Sequence, residues 1–185
     1  MKNILVVIFI ALATTLQPVK AQEFKGLDKS PMDMAYLPDN FAHDHSPGEK
    51  AVARITYGRP QKNNRPVFCK MIPYGKVWST GANEATEFIA YQPLTFGSET
   101  LPAGTYTLFT IPEKDEWTLI FNTDVDIWGS YRYDSKKDAL RLSVKIKSTT
   151  GVVEAFAIKF ETQNENDAIL KLAWDQTKIE VPFSY

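Results

Sequence analysis

Leu140-Arg141-Leu142-Ser143-Val144-Lys145-Ile146-Lys147 sets an apolar side chain at every even position and a polar one at every odd position. Successive side chains of an extended chain point to opposite faces, so a period of two describes a strand with one dry and one wet face. Phe156, Ile158 and Phe160 repeat the pattern against Ala155, Ala157 and Lys159. Working outward, further short runs rich in Val, Ile, Thr, Phe and Tyr lie at 51–57, 86–91, 105–111, 117–121, 168–173 and 178–183. Clusters of Gly, Pro, Asn or Asp separate most of them, which is the punctuation of strands.

Two connections suggest how the strands are joined. In Leu101-Pro102-Ala103-Gly104 proline suits the second position of a type I turn and glycine its end, so 95–111 is expected to form a hairpin. The charged Pro112-Glu113-Lys114-Asp115-Glu116 is expected to return the chain as another antiparallel strand. About eight or nine strands with hardly any helical period predict an all-β fold, an antiparallel β-sandwich or jelly roll.

The N-terminus has a different character. Lys2 precedes an apolar run of 13 residues, Ile4 to Leu16, and Val19-Lys20-Ala21 ends in a small residue, the pattern of an export signal cut near Ala21. A span of the bilayer needs about 20 residues, so this run is too short to stay in a membrane. Residues 1–21 therefore read as a signal peptide, 22–50 as a short irregular lead-in with a helix near Met32 to Tyr36, and 51–185 as a single β-sandwich domain. The expected location is periplasmic or secreted, with no membrane span in the mature chain.

Cleavage would leave 19 basic against 22 acidic residues, a formal charge of −3. Nucleic-acid binders carry a basic excess, so no nucleic acid is expected as a partner. The single cysteine, Cys69, rules out an intrachain disulfide and reads as a buried, inert thiol. Gly-x-Ser-x-Gly, phosphate-loop and dinucleotide signatures are all missing, and no cofactor is implied. His43-Asp44-His45 is too local to hold a metal without a distant third ligand. Asn122-Thr123-Asp124-Val125-Asp126 starts like a calcium loop but has Ile127 where the turn glycine belongs.

Chemistry concentrates between positions 57 and 86. Arg59, Lys62, Arg65, Lys70 and Lys76 occur there with no acidic residue between Arg59 and Lys76, and Tyr57, Phe68, Tyr74 and Trp78 are interleaved with them. Arginine binds carboxylate or phosphate with two parallel bonds and an aromatic ring covers the apolar face of a sugar. Thr80-Gly81-Ala82-Asn83-Glu84 adds a hydroxyl, a close-approach glycine, an amide and a carboxylate. Arg59, Tyr74, Lys76, Trp78, Asn83 and Glu84 are thus the candidate ligand-binding set for a small polar or anionic ligand such as a saccharide. Glu84 is also a candidate general acid or base of an envelope sugar hydrolase or lyase, although glycosidases use two carboxylates and only Glu87 lies nearby. A third reading makes the same residues determinants of the fold in a structural or assembly protein.

Tyr57-Gly58-Arg59-Pro60, Arg65-Pro66-Val67-Phe68, Pro73-Tyr74-Gly75-Lys76-Val77-Trp78, Thr80-Gly81-Ala82-Asn83-Glu84-Ala85-Thr86, Leu101-Pro102-Ala103-Gly104-Thr105-Tyr106, Trp117 to Asn122, Trp128-Gly129 and Leu172-Ala173-Trp174 together resemble family 2911 of the domains of unknown function. The likeness runs over about 51–185. The resemblance implies an exported bacterial protein with one domain, and it transfers no reaction, cofactor or ligand. It also implies an arginine after the tryptophan, where this chain has Ser79.

Overall fold

The computed structural model describes Phe24 and residues 26–185, so the expected signal peptide lies outside the described residues. Ten strands occur in the order β1 Met32–Leu37, β2 Ala53–Gly58, β3 Glu87–Ala90, β4 Leu94–Phe96, β5 Glu99–Leu101, β6 Gly104–Pro112, β7 Glu116–Asn122, β8 Asp138–Lys145, β9 Lys147–Thr162 and β10 Asp167–Ser184. One helical turn, α1 Phe41–Asp44, and one 3-10 turn, Ser135–Lys137, complete the described elements. The strands form two antiparallel sheets, β1-β2-β3-β6-β7-β8 and β5-β4-β10-β9. The all-β sandwich expected from the alternation is the fold observed.

Alternation decides which side chains meet between the sheets. Ile55, Phe88, Leu108, Leu119 and Phe121 face inward from the six-stranded sheet, and Phe156, Ile158, Leu170, Leu172 and Trp174 face them from the other. Each such side chain contributes about 1.5–3 kcal/mol on burial, so this layer is the main source of stability. Among the described residues no helix is long and apolar enough to cross a membrane.

Three details differ from expectation. Met32–Leu37 is a strand, not a helix, because it pairs with β2 from Met32↔Gly58 to Leu37↔Ala53. Leu101-Pro102-Ala103-Gly104 does not close a hairpin. β5 pairs back onto β4 across Gly97, whose φ is +62°, while Pro102 and Ala103 carry the chain from one sheet to the other. The Tyr106 hydroxyl donates to Pro102 O at 2.9 Å and holds this corner, and a Cβ on Gly104 would stand 3.1 Å from that hydroxyl. The runs at 168–173 and 178–183 are a single strand. Register shifts flank Asp175, whose φ is +55°, and inward positions change from even (Trp174) to odd (Ile179) across this bulge.

The outer face of the four-stranded sheet carries a ladder of ion pairs. Glu180 meets Lys147 at 2.7 Å and Lys178 at 2.8 Å, while Glu161 meets Lys171 at 2.7 Å and Lys159 at 3.4 Å. Bonds from Lys147 first and Lys178 second hold the Glu180 carboxyl well below its ordinary value of 4.5, at about 2. A carboxylate with a depressed pKa contributes stability that is present above 4.5 and lost as pH falls towards 2. Glu180→Gln should therefore lower the urea midpoint at pH 7 by up to about 1 kcal/mol in stability, as for a surface pair. The gap to wild type should close between pH 4.5 and 2. Equal gaps at both ends of that range would contradict the assignment.

Candidate functional site

The segment from Val77 to Thr86 is a clamp whose residues 78–81 and 86 are buried. Trp78 N donates to Thr110 O at 2.8 Å and Thr110 N returns to Trp78 O at 2.9 Å, which docks the segment beside β6. Thr80 Oγ1 reaches Thr110 Oγ1 at 3.2 Å, and Thr86 Oγ1 donates to Thr80 O at 2.8 Å. A Cβ on Gly58 would stand 2.2 Å from Ala82 O, and one on Gly81 would stand 2.9 Å from Thr86 Oγ1. Backbone therefore packs directly on backbone between β2 and the turn, an approach open only to glycine. The Trp78 ring lies among Trp117, Phe156 and Trp174, and its Nε1 donates to Gly81 O at 2.8 Å.

The six side chains nominated from the sequence are spread over several places. Arg59 pairs with Asp33 at 3.0 Å and donates through Nε to Phe156 O at 3.0 Å, tying β2 to β9. Tyr74 lies beside the Glu113–Glu116 loop, and Lys76 is exposed. Trp78 is 8% exposed and belongs to the core. Asn83, at φ +67°, donates to Asp28 Oδ1 at 3.0 Å. Only Glu84 of the six lines the open groove described next. Two further cations of that stretch are also engaged: Lys62 pairs with Asp175 at 3.2 Å, and Arg65 donates to Lys62 O and Gln61 O, while Lys70 is exposed. Elsewhere, His43 pairs with its neighbour Asp44 and His45 bonds Phe41 O, and Cys69 is exposed rather than buried, at φ +72°.

The groove is built on the outer face of the six-stranded sheet. Register aligns Met34, Thr56, Glu87 and Thr107 as one outward row across β1, β2, β3 and β6. Over this row stands the loop that follows β7. Asn122 is fully buried and clamps both ends of that loop: its Oδ1 accepts from Asp124 N at 2.8 Å, and its Nδ2 donates to Asp134 O at 3.0 Å and Asp138 Oδ1 at 2.7 Å. Tyr133 packs edge-on to Phe109 and donates to Asp138 Oδ2 at 2.6 Å; burial first, and the Asp138 carboxylate second, raise its pKa. The apex is fastened by the Val77–Thr86 segment. Ala85 N donates to Ile127 O, Gly129 N to Asn83 O and Ser130 Oγ to Val77 O, all at 2.9–3.0 Å.

Between sheet and loop lies an open cavity of about 430 Å3 lined by Met32, Thr56, Glu84, Ala85, Glu87, Thr107, Val125, Asp126, Ile127 and Trp128. The Trp128 indole is 58% exposed although the backbone beneath it is held at 83–85. Glu87 is positioned by Arg54 Nη2 at 3.1 Å. A flat apolar ring beside carboxylates and hydroxyls suits a ligand with one apolar face and a rim of hydroxyls. The sequence offers Trp128 only within the Trp128-Gly129 motif, not among the candidate site residues. The available signal was a tryptophan held between Asp126 and Gly129 in a turn-rich stretch, and the floor of the groove becomes visible only through strand register.

Residues 40–183 match the family model described as a protein of unknown function, DUF2911. The chain belongs to the DUF2911 family. No curated protein and no solved structure matches it. Within this DUF2911 chain, Ser79, the position for which the resemblance implies arginine, is 6% exposed and lines a smaller depression next to Trp128. The tight contact of Gly58 with Ala82 makes the clamp testable. Gly58→Ala should cost about 1–3 kcal/mol, typical of overpacking, and lower the melting temperature by several degrees. A thermal melt unchanged from wild type would show that the clamp tolerates a methyl group there.

Proposed function

We propose that this is an exported, non-catalytic β-sandwich that binds a small polar ligand, a saccharide, in the Trp128 groove. The supporting observation is an exposed indole, on a loop held at both ends and at its apex, set over a floor bearing Thr56 and Glu87, with the buried Thr107 hydroxyl donated to Asp124 O beneath the loop. A pyranose would lay its apolar face on the indole and offer hydroxyls to Glu84, Glu87 and Asp126. Glu84 and Asp126, beside an Arg54-paired Glu87, favour a neutral sugar over an anion, and Arg59 and Lys62, which could have received an anion, are occupied by Asp33 and Asp175. Export rests on the leader pattern of residues 1–21.

A hydrolase or lyase with Glu84 as acid or base stands as the second reading, because Glu84 and Glu87 share the groove. For Trp78, Thr80 and Gly81 the structural role is the better supported, since their polar groups bond within the protein. Trp78→Ala would chiefly unsettle the core, so Trp128→Ala is the cleaner probe. Neutral oligosaccharides should raise the melting temperature of the wild type and quench its tryptophan fluorescence, and Trp128→Ala should weaken binding at least about tenfold with an unchanged far-UV spectrum. The binding reading fails if no saccharide produces either signal. Breakdown of a bound sugar that stops in Glu84→Gln would replace it with the hydrolase reading.

A further inference from the structure

We infer that the ligand is an extended oligosaccharide seated on a track that bends around Trp128, with Tyr131 as a second stacking platform; this rests on the saccharide reading above. Three depressions meet at the Trp128 indole. The first is the groove already described. The second, of about 460 Å3, is lined by Asp126, Ile127, Trp128, Tyr131 and Arg132. The third, of about 250 Å3, lies between Ser79, Asn83, Trp128, Ser130 and Tyr131. The first and second share Asp126 and Ile127, and the second and third share Tyr131. Small-molecule sites run from about 300 to 1,000 Å3, so each depression alone sits below or near the low end of that range, and together they suit a ligand longer than one ring.

Tyr131 leans on its neighbour Gly129. Gly129 has φ +59°, and a Cβ added there would stand 3.0 Å from Tyr131 Cε2, so the phenol ring lies directly against a bare glycine backbone. The ring is nevertheless 87% exposed, and only two residues along the chain separate it from an indole that is 58% exposed. A single exposed aromatic needs no explanation. Two of them on a short loop are different when hydrogen bonds fasten that loop at Ile127 O, Gly129 N and Ser130 Oγ. These bonds fix the loop that carries both rings before any ligand arrives, and a preorganised scaffold lowers the entropic cost of binding. Successive depressions also differ in charge. Three carboxylates line the first, Asp126 and Arg132 both line the second, and the third carries no ionisable side chain apart from Tyr131.

The test is a length series. Glucose and N-acetylglucosamine, with their β-1,4-linked oligomers from two to six units, are titrated into the full mature chain and followed by calorimetry and tryptophan fluorescence. Affinity should climb by about tenfold or more from one unit to three and then level off. Tyr131→Ala should cost about tenfold for the trimer while leaving the single sugar unaffected, and Tyr131→Phe, which keeps the ring, should restore trimer binding. Because Tyr131 is exposed, both variants should melt with the wild type. Equal affinity for one and three units, with Tyr131→Ala inert, would overturn the extended track and leave a one-sugar site intact. Absence of binding by every member of the series would overturn the track together with the saccharide reading.

Discussion

Backbone packs against backbone where Gly58 meets Ala82, and the upper half of the sandwich depends on that contact. Any side chain at position 58 would drive a Cβ to 2.2 Å from the Ala82 carbonyl oxygen, so the turn could not lie this close to β2. With the turn in place, Thr80, Thr86 and Thr110 share their hydroxyls and carbonyls inside the protein, and Trp78 is lowered into a cage of aromatic rings. Buried polar groups of this kind are costly when unpaired, and here each finds a partner from the same small set. The turn then has its outward carbonyls and amides left over, and these hold the apex of the Trp128 loop.

A second set of contacts closes the opposite flank. β9 ends its sheet, and a bare edge of that length invites pairing with another chain. The Tyr57 hydroxyl accepts from Ile158 N at 2.9 Å and donates to Ile158 O at 3.2 Å, Arg59 donates to Phe156 O, and Lys62 N and Phe156 N bond across the strip from Pro60 to Glu154. Burial first raises the Tyr57 pKa, with the Asp33 carboxylate adding to it, so the phenol stays a neutral donor. Of the cations that look like a binding cluster in sequence, Arg59 and Lys62 serve here to tie the 59–62 strip to β9 and β10.

Strand character was legible wherever one face is wet, as in Leu140 to Lys145, because solvent leaves its imprint every second residue. It was less legible at Met32–Leu37, an edge strand whose methionines face outward and blur the alternation. Pro102-Ala103-Gly104 satisfies a hairpin and a corner equally well, and the choice falls to the Tyr106 hydroxyl, four residues from its acceptor. The bulge at Asp175 breaks β10 into two apparent strands by reversing parity. Candidate site residues suffer more than strands do. Trp78 reads the same from sequence whether it is buried or open, since what buries it comes from Trp117, Phe156 and Trp174, far along the chain.

This separation of roles follows from what a clamp and a binding surface each require. A clamp needs its polar groups consumed internally, so the residues richest in local chemistry, Thr80, Gly81 and Thr86, are the least available to a ligand. A binding surface needs rigid backbone with side chains left over. The Trp128 loop meets both conditions because its fixed points are main-chain atoms of Ile127 and Gly129 and the hydroxyl of Ser130. None of these bonds uses the indole of Trp128 or the phenol of Tyr131. Holding the loop through its backbone keeps its aromatic faces in the solvent, and the turn at 77–86, anchored by the buried Trp78, Thr80 and Thr86, is what makes that possible.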